Sequence, residues 1–235
     1  VNLEQHAHLT RQMGLINVDK LSTPVTVIGC GAIGSFVTLS LAKMGMTDIT
    51  VFDHDEVSVE NMNCQFYRHS DIGSPKAMAL LSLVHDFTGV AVKPHMRKFE
   101  AGDAVGASQI VVMAVDSMDA RKELFQALRD SSVHNKWVID PRMGAEFFTM
   151  FVMQPTNDTD MKTYSKVCQS DGESVQEACT AKSTIYTATL ASGLVVKAVK
   201  NLLMDQTYPR ITNWNIAESS NPMVMNPGNP PAPVP

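Results

Sequence analysis

Three glycines in the pattern Gly29-x-Gly31-x-x-Gly34, followed about twenty residues further on by Asp53, carry the clearest chemical signal in the 235-residue chain. Glycines in this arrangement permit a tight turn and let backbone N–H groups approach a phosphate at the positive end of a helix. An acid at that distance, at the end of the next strand, is placed to accept hydrogen bonds from ribose hydroxyls. Taken alone, these four residues favour an NAD-dependent oxidoreductase, with a tight turn that holds no ligand as the plainer alternative. Asp116 closes the apolar run 109–115. An acid leaving the carboxyl end of a parallel strand faces the usual ligand crevice of an open α/β sheet. Its competing role is a helix N-cap, because Ser117, Met118 and Asp119 introduce the next helical pattern.

The elements that must position these residues follow from the periodicity. The β-branched run 24–28 (PVTVI) breaks into the glycines, and 35–45 (SFVTLSLAKMG) continues with apolar residues at helical spacing. A second strand at 48–52 ends next to Asp53, and 75–87 opens a helix with Pro75 at the favoured first position. Apolar runs at 90–94, 109–115 and 137–140 alternate with helical patterns near 101–106 and 118–132. Strands alternating with helices imply an α/β fold with a doubly wound, Rossmann-like, mostly parallel sheet covered on both faces. Beyond it, 146–154 reads as a longer strand and 156–182 as a polar loop. The run 183–203 reads as an apolar helix rich in small residues, suited to packing on the sheet or on a second copy. Residues 2–14 have helical composition ended by Gly14, and 221–235 hold six prolines, the composition of an extended or disordered tail. A single domain over 1–220 is expected, with an N-terminal arm (1–20), a crossover loop (156–182) and the tail.

The segment after Asp53 is not dehydrogenase-like. Asp53-His-Asp55-Glu-Val57, then Asn61-Met-Asn-Cys64-Gln65, Arg68, and Asp71-Ile-Gly73-Ser-Pro75-Lys76-Ala77 resemble the adenylating domain shared by ThiF, MoeB and the ubiquitin-activating enzymes. That family's pattern is D-x-D-x-V-x-x-x-N-x-x-R-Q, then D-[IV]-G-x-P-K-A. The resemblance extends upstream to Arg11-Gln12 and downstream to Asp116-Ser-Met-Asp-Ala-Arg121, with Ser117 in the family's asparagine position.

The resemblance implies an adenylyltransferase that uses ATP and Mg2+ to activate the C-terminal carboxylate of a ubiquitin-like or sulfur-carrier protein, or of a peptide. Such chemistry needs groups that align the carboxylate with the α-phosphate and stabilise the charge on pyrophosphate. By the same resemblance Lys76 reaches the phosphates, Asp116 holds magnesium, Asp55 orders the ribose or the following loop, and Asn61 and Gln65 line the phosphate region. Arg11 matches the residue that reaches into the neighbouring subunit's ATP site, which implies a homodimer with composite sites. Cys179 sits where several members carry a thiol nucleophile in the crossover loop, with Cys168 second. A thiol there attacks the acyl-adenylate, forming a thioester and releasing AMP. One position departs from the pattern: Cys64 replaces the family arginine, and Arg68 substitutes for it only if the segment is helical, where positions i and i+4 share a face. Arg142, after the strand at 137–140, is a candidate for steering the carboxylate or the loop, or for a structural ion pair.

Composition narrows the classes. Nineteen Lys and Arg against 24 Asp and Glu give a net charge of -5, the wrong sign for a partner built of nucleic-acid phosphate or anionic lipid. No apolar stretch reaches membrane-spanning length, and a cytoplasmic location is the expectation. The four cysteines, Cys30, Cys64, Cys168 and Cys179, form no C-x-x-C pair, so no zinc is expected. A catalytically weakened scaffold of the same fold is the alternative that Cys64 raises, with the oxidoreductase behind it.

Overall fold

The run after Pro24 forms β1 (Val25–Ile28), buried at all four positions as a strand covered on both faces must be. It leads through the glycine turn into α1 (Ala32–Met44), which ends at Gly45 in the left-handed conformation. The chain then alternates through β2 (Ile49–Phe52), α2 (Lys76–Thr88), β3 (Lys93–His95), β4 (Ile110–Met113), α3 (Met118–Asp130), β5 (Trp137–Gly144) and β6 (Phe147–Met153). Then come α4 (Asp158–Ser165), α5 (Ile185–Leu203), β7 (Ile211–Asn215) and β8 (Met223–Met225). This computed structural model describes residues 7–12, 14–103, 108–131, 137–167, 183–217 and 223–225.

The strands make one sheet in the order β3-β2-β1-β4-β5-β6-β7-β8. The first five are mutually parallel, and β6, β7 and β8 join antiparallel. The register sets the site: Ile28 lies beside both Phe52 and Met113, so the glycine turn, Asp53 and the residues after β4 leave the sheet at one level of its carboxyl edge. One core cluster joins the sheet to α1, α2 and α5 through Val37, Leu41, Leu80, Val195 and Val199. A second, around Phe125, Leu128 and Tyr164, joins the opposite face to α3 and α4. Helices on both faces of a mostly parallel sheet are the expected doubly wound architecture.

Several local expectations need correction. The polar stretch 156–182 contains α4, started by Asn157, whose side chain accepts from the N–H groups of Thr159 and Asp160. An eight-residue helix with one strong cap and only Asp160 and Tyr164 buried carries little apolar periodicity to read. The described residues of the arm hold 3-10 turns at Ala7–Gln12 and Val18–Lys20 in place of α-helix, and Gly14 takes the left-handed conformation at φ 88°. Pro75 is one residue ahead of α2, not its first member. Strand β3 begins three residues later than the apolar run at 90 suggests, since an edge strand is defined by its neighbour. Strand β7 was not anticipated, and β8 lies inside the stretch read as an extended tail.

Candidate active site

The glycine turn is shaped by contact as well as by ligand geometry. Gly29 has φ 93°, and a Cβ there would stand 2.4 Å from the Ala114 carbonyl oxygen. A Cβ on Gly34 would stand 1.8 Å from the Gly29 carbonyl oxygen. These two glycines let α1 pack against the turn and the turn against β4. Gly34→Ala is therefore expected to destabilise the fold by about 3 kcal/mol, the upper range for overpacking, read as a lowered denaturant midpoint at unchanged slope.

Asp53 is buried and braces the turn: its Oδ2 accepts from the Cys30 N–H at 2.6 Å and its Oδ1 from the Asp55 N–H at 2.8 Å. Each oxygen retains a lone pair, so the brace and a ribose contact are compatible. Tyr67, unremarked in the sequence, donates its phenol to the Cys30 carbonyl at 2.7 Å. Burial, with Cys30 and nearby carboxylates, pushes that phenol far above its ordinary range and keeps it a donor.

Lys76 starts α2 with its side chain buried, and its Nζ donates to Asp55 Oδ2 at 2.9 Å. A solvated lysine in a first helical turn would not be buried, so the plain reading of this residue is removed. Burial alone would raise the Asp55 pKa, but the Lys76 hydrogen bond and charge, aided by His54 and Lys98, carry it below the usual carboxylate range. Gln65 lies across the turn, its Nε2 4.0 Å from where a Gly31 Cβ would be, and its Oε1 is buried without a hydrogen-bond partner. A buried orphan atom beside a glycine cradle is what a site for a polar group looks like. Asn61 serves the loop before it: its side-chain oxygen accepts from the Ser58 N–H at 2.9 Å.

Asp116 leaves the carboxyl end of β4 exposed, and no hydrogen bond or ion pair joins it to the described residues. Ser117 takes the capping role, its hydroxyl accepting from the Ala120 N–H at 3.1 Å. The serine in the family's asparagine position thereby leaves the Asp116 carboxylate available to a hard cation.

The replacement for the lost arginine does not form. Residues 62–68 make turns and extended backbone, not an α-helix, so Arg68 does not share a helical face with Cys64. The Arg68 guanidinium is spent on Asp71, on Asp86 at 2.9 Å and on Ser82 at 2.9 Å, along the outside of α2. Cys64 is buried; burial raises its pKa, while a hydrogen bond with Ser183 and the charge of Lys76 act against that.

Arg11 is exposed in the Ala7–Gln12 turn. Its neighbour Leu9 packs against Gly45, at the far end of the 13-residue α1 from the glycine turn, about 20 Å along the helix axis. Arg11 is thus remote from its own chain's glycine turn. Cys168 and Cys179 lie outside the described residues.

Of the charge cluster at the same edge, sequence reasoning named Arg142 as a candidate for a structural ion pair, which it forms, but not Arg121 and Tyr164 as members. Asp140, fully buried at the end of the parallel part of β5, is paired with Arg121 from α3 and Arg142 from β5 and accepts from the Tyr164 hydroxyl at 2.8 Å. Arg121 also donates to the carbonyls of Met113, Val115 and Pro141, tying the Asp116 loop to β5. The signal was present as the arginine closing Asp116-x-x-x-x-Arg121; what no spacing reveals is the partner on the next strand.

Comparison with known proteins decides the family. A profile of the ThiF family matches residues 7–230. The chain belongs to the ThiF family. It is 33% identical over 102 residues to the NEDD8-activating enzyme E1 catalytic subunit of Arabidopsis thaliana, a match covering 42% of this chain and 22% of that one. To the ubiquitin-like modifier-activating enzyme 5 of Caenorhabditis elegans it is 27% identical over 141 residues, 52% of this chain and 33% of the other. The ThiF-family chain thus spans about a quarter of the NEDD8-activating relatives and a third of the modifier-activating one. Among solved structures, Escherichia coli MccB with AMPCPP and MccA superposes with a TM-score of 0.69 at 18% identity, over 91% of this chain and 66% of MccB. PaaA gives 0.74 at 15% identity, over 96% and 74%. The E. coli tRNA N6-threonylcarbamoyladenosine dehydratase TcdA gives 0.66 at 16% identity, over 86% and 95%. These three share the fold.

Proposed function

We propose that this ThiF-family chain is an ATP- and Mg2+-dependent adenylyltransferase that activates the C-terminal carboxylate of a ubiquitin-like or sulfur-carrier protein, or of a peptide. The observation that carries the reading is the pairing, at one sheet edge, of a buried Lys76 at the glycine turn with an Asp116 relieved of capping by Ser117. An oxidoreductase has no use for that pair. The relatives named for activation of NEDD8 and ubiquitin-like modifiers support the same direction.

The chain's own groups divide the work. Backbone N–H groups of the turn and of the first turn of α1 face the phosphates, and Asp53 and Asp55 serve the ribose side. Lys76 Nζ exchanges Asp55 for phosphate oxygen, moving about one side-chain reach, while Asp55 keeps His54 as a neighbour at 3.4 Å. Gln65 offers its amide N–H groups to phosphate oxygen. Asp116 would hold magnesium, which supplies charge neutralisation on the phosphates as pyrophosphate departs. A carboxylate oxygen of the substrate forms its bond to the α-phosphorus as the bond to the bridging β-phosphate oxygen breaks; no protein proton is needed. Cys179, or Cys168 in second place, then takes the acyl group as a thioester, its thiolate displacing AMP. Arg11, too far from its own turn, serves the site of a second copy. A cytoplasmic location belongs to the same proposal; separately, no helix of the described residues is long and apolar enough to cross a membrane.

Carboxylate-dependent release of pyrophosphate from ATP tests this, with peptides bearing free C-termini as substrates. Asp116→Ala and Arg11→Ala are each expected to lose the activity, and an equimolar mixture of the two to recover about a quarter of wild type. A mixed pair holds one site with both groups intact. Loss in Asp116→Ala without recovery on mixing contradicts the composite site; activity unchanged in Asp116→Ala contradicts the metal role. A weakened scaffold is favoured by one fact, the commitment of Arg68 to α2, and it predicts nucleotide binding with no pyrophosphate release in the presence of any carboxylate.

A further inference from the structure

Both flanks of the stretch 168–182 end on one short hairpin. On the first flank, Val167 donates its N–H to the Tyr164 carbonyl at 3.0 Å, and its own carbonyl accepts from Arg142 Nη1 at 3.1 Å. Arg142 is itself held by three other residues. Its Nε donates to Asp140 Oδ2 at 2.8 Å, its Nη2 lies 2.7 Å from the same oxygen, and its guanidinium stands 4.7 Å and 5.5 Å from the ring centres of Phe151 and Tyr164. On the second flank, Ser183 bridges to Ala145, and the Ala145 carbonyl accepts from the hydroxyls of Thr184 at 3.3 Å and Thr187 at 2.8 Å. Tyr186 donates to Glu146 Oε1 at 2.5 Å. Ala145 has φ 51°, a left-handed conformation uncommon for a residue with a Cβ, held by these contacts at the turn between β5 and β6.

We infer that the hairpin tip, residues 142–146, is the positioning element for Val167 and Ser183, the described residues on either side of 168–182, with Arg142 in the tip and Thr187 on α5 as the two positioning residues. The arrangement is unlike ordinary loop anchoring in two respects. A half-buried arginine already paired with a carboxylate extends one further nitrogen to a main-chain carbonyl at the last described residue before the stretch. A backbone-strained residue then gathers two hydroxyls from the first turn of α5 just after it. Each device fixes one flank, and the two lie within five residues of each other on a strand pair that also carries Asp140. Any consequence for catalysis rests on the adenylation reading; the anchoring itself does not.

Trypsin reads the two flanks separately, because Lys166 and Lys182 border them. In the full-length protein, cleavage after each is followed by mass spectrometry and normalised to cleavage after the buried Lys76, which counts global opening. Arg142→Lys keeps the number of trypsin sites and a charge for Asp140 but cannot also reach Val167. It is expected to speed cleavage after Lys166 about tenfold, the loss of one charge-assisted hydrogen bond, with Lys182 unchanged. Thr187→Val preserves shape and removes the shorter hydroxyl contact to Ala145. It is expected to speed cleavage after Lys182 severalfold and leave Lys166 unchanged. Equal acceleration at both bonds in either variant, or none at the predicted bond, overturns the assignment whether or not the protein adenylates anything.

Discussion

Arg121→Met is expected to lower stability by about 3–5 kcal/mol, the range for removing one partner of a buried ion pair. Asp140 is fully buried, and its Oδ1 is served by Arg121 while Arg142 and Tyr164 serve Oδ2. Removing Arg121 strands half of a desolvated carboxylate and leaves the carbonyls of Met113, Val115 and Pro141 without this donor. For a chain of this length the loss corresponds to a fall of roughly 10 °C in melting temperature. Adding Asp140→Asn to the variant should deepen the loss, because Arg142 then keeps its charge without a carboxylate partner. A loss that Asp140→Asn leaves unchanged would mean that the carbonyl contacts, not the charges, dominate.

Lys76→Ala is expected to reduce carboxylate activation about 10²–10³-fold, the size seen when one preorganised donor to developing charge is removed. Its effect on stability should be small, since its partner Asp55 is about half exposed and water replaces the lysine there. Lys76→Arg should not restore the rate: a planar fork with fixed donor directions does not follow a phosphate as a compact ammonium does. A circular-dichroism melt alongside the kinetics separates the two effects, and a rate loss matched by unfolding would remove Lys76 from the chemistry.

Much of this arrangement can be read before any coordinates because it rests on local rules. The glycine turn, the first two βα steps and the position of Asp116 follow from β-branched runs ending in glycine or acid, and register then brings their ends to one edge. The motif resemblance reached the family for the same reason, since its residues cluster at those ends. What escaped has a different origin. Strand β7 exists because β6 offers it a partner, and a sequence window around 211–215 contains no trace of β6. The short β8 pairs only with β7, beneath a proline-rich composition that masks it. Helix α4 is fixed by Asn157 and by Asp160, which accepts from the Gln154 N–H at 2.8 Å, not by an apolar stripe. The i, i+4 relation of Cys64 and Arg68 failed because a helix was assumed where the chain turns, and Arg68 found acids on α2 instead. The Asp140 cluster joins three elements distant in sequence, and only the fold brings its arginines together.

The central claim is most directly tested by the incorporation of labelled pyrophosphate into ATP by the wild-type protein with magnesium, in the presence and absence of a free C-terminal carboxylate. Carboxylate-dependent exchange, absent without magnesium, is the predicted result. Release of ADP and phosphate in place of exchange, or binding of NAD with no binding of ATP, would contradict it.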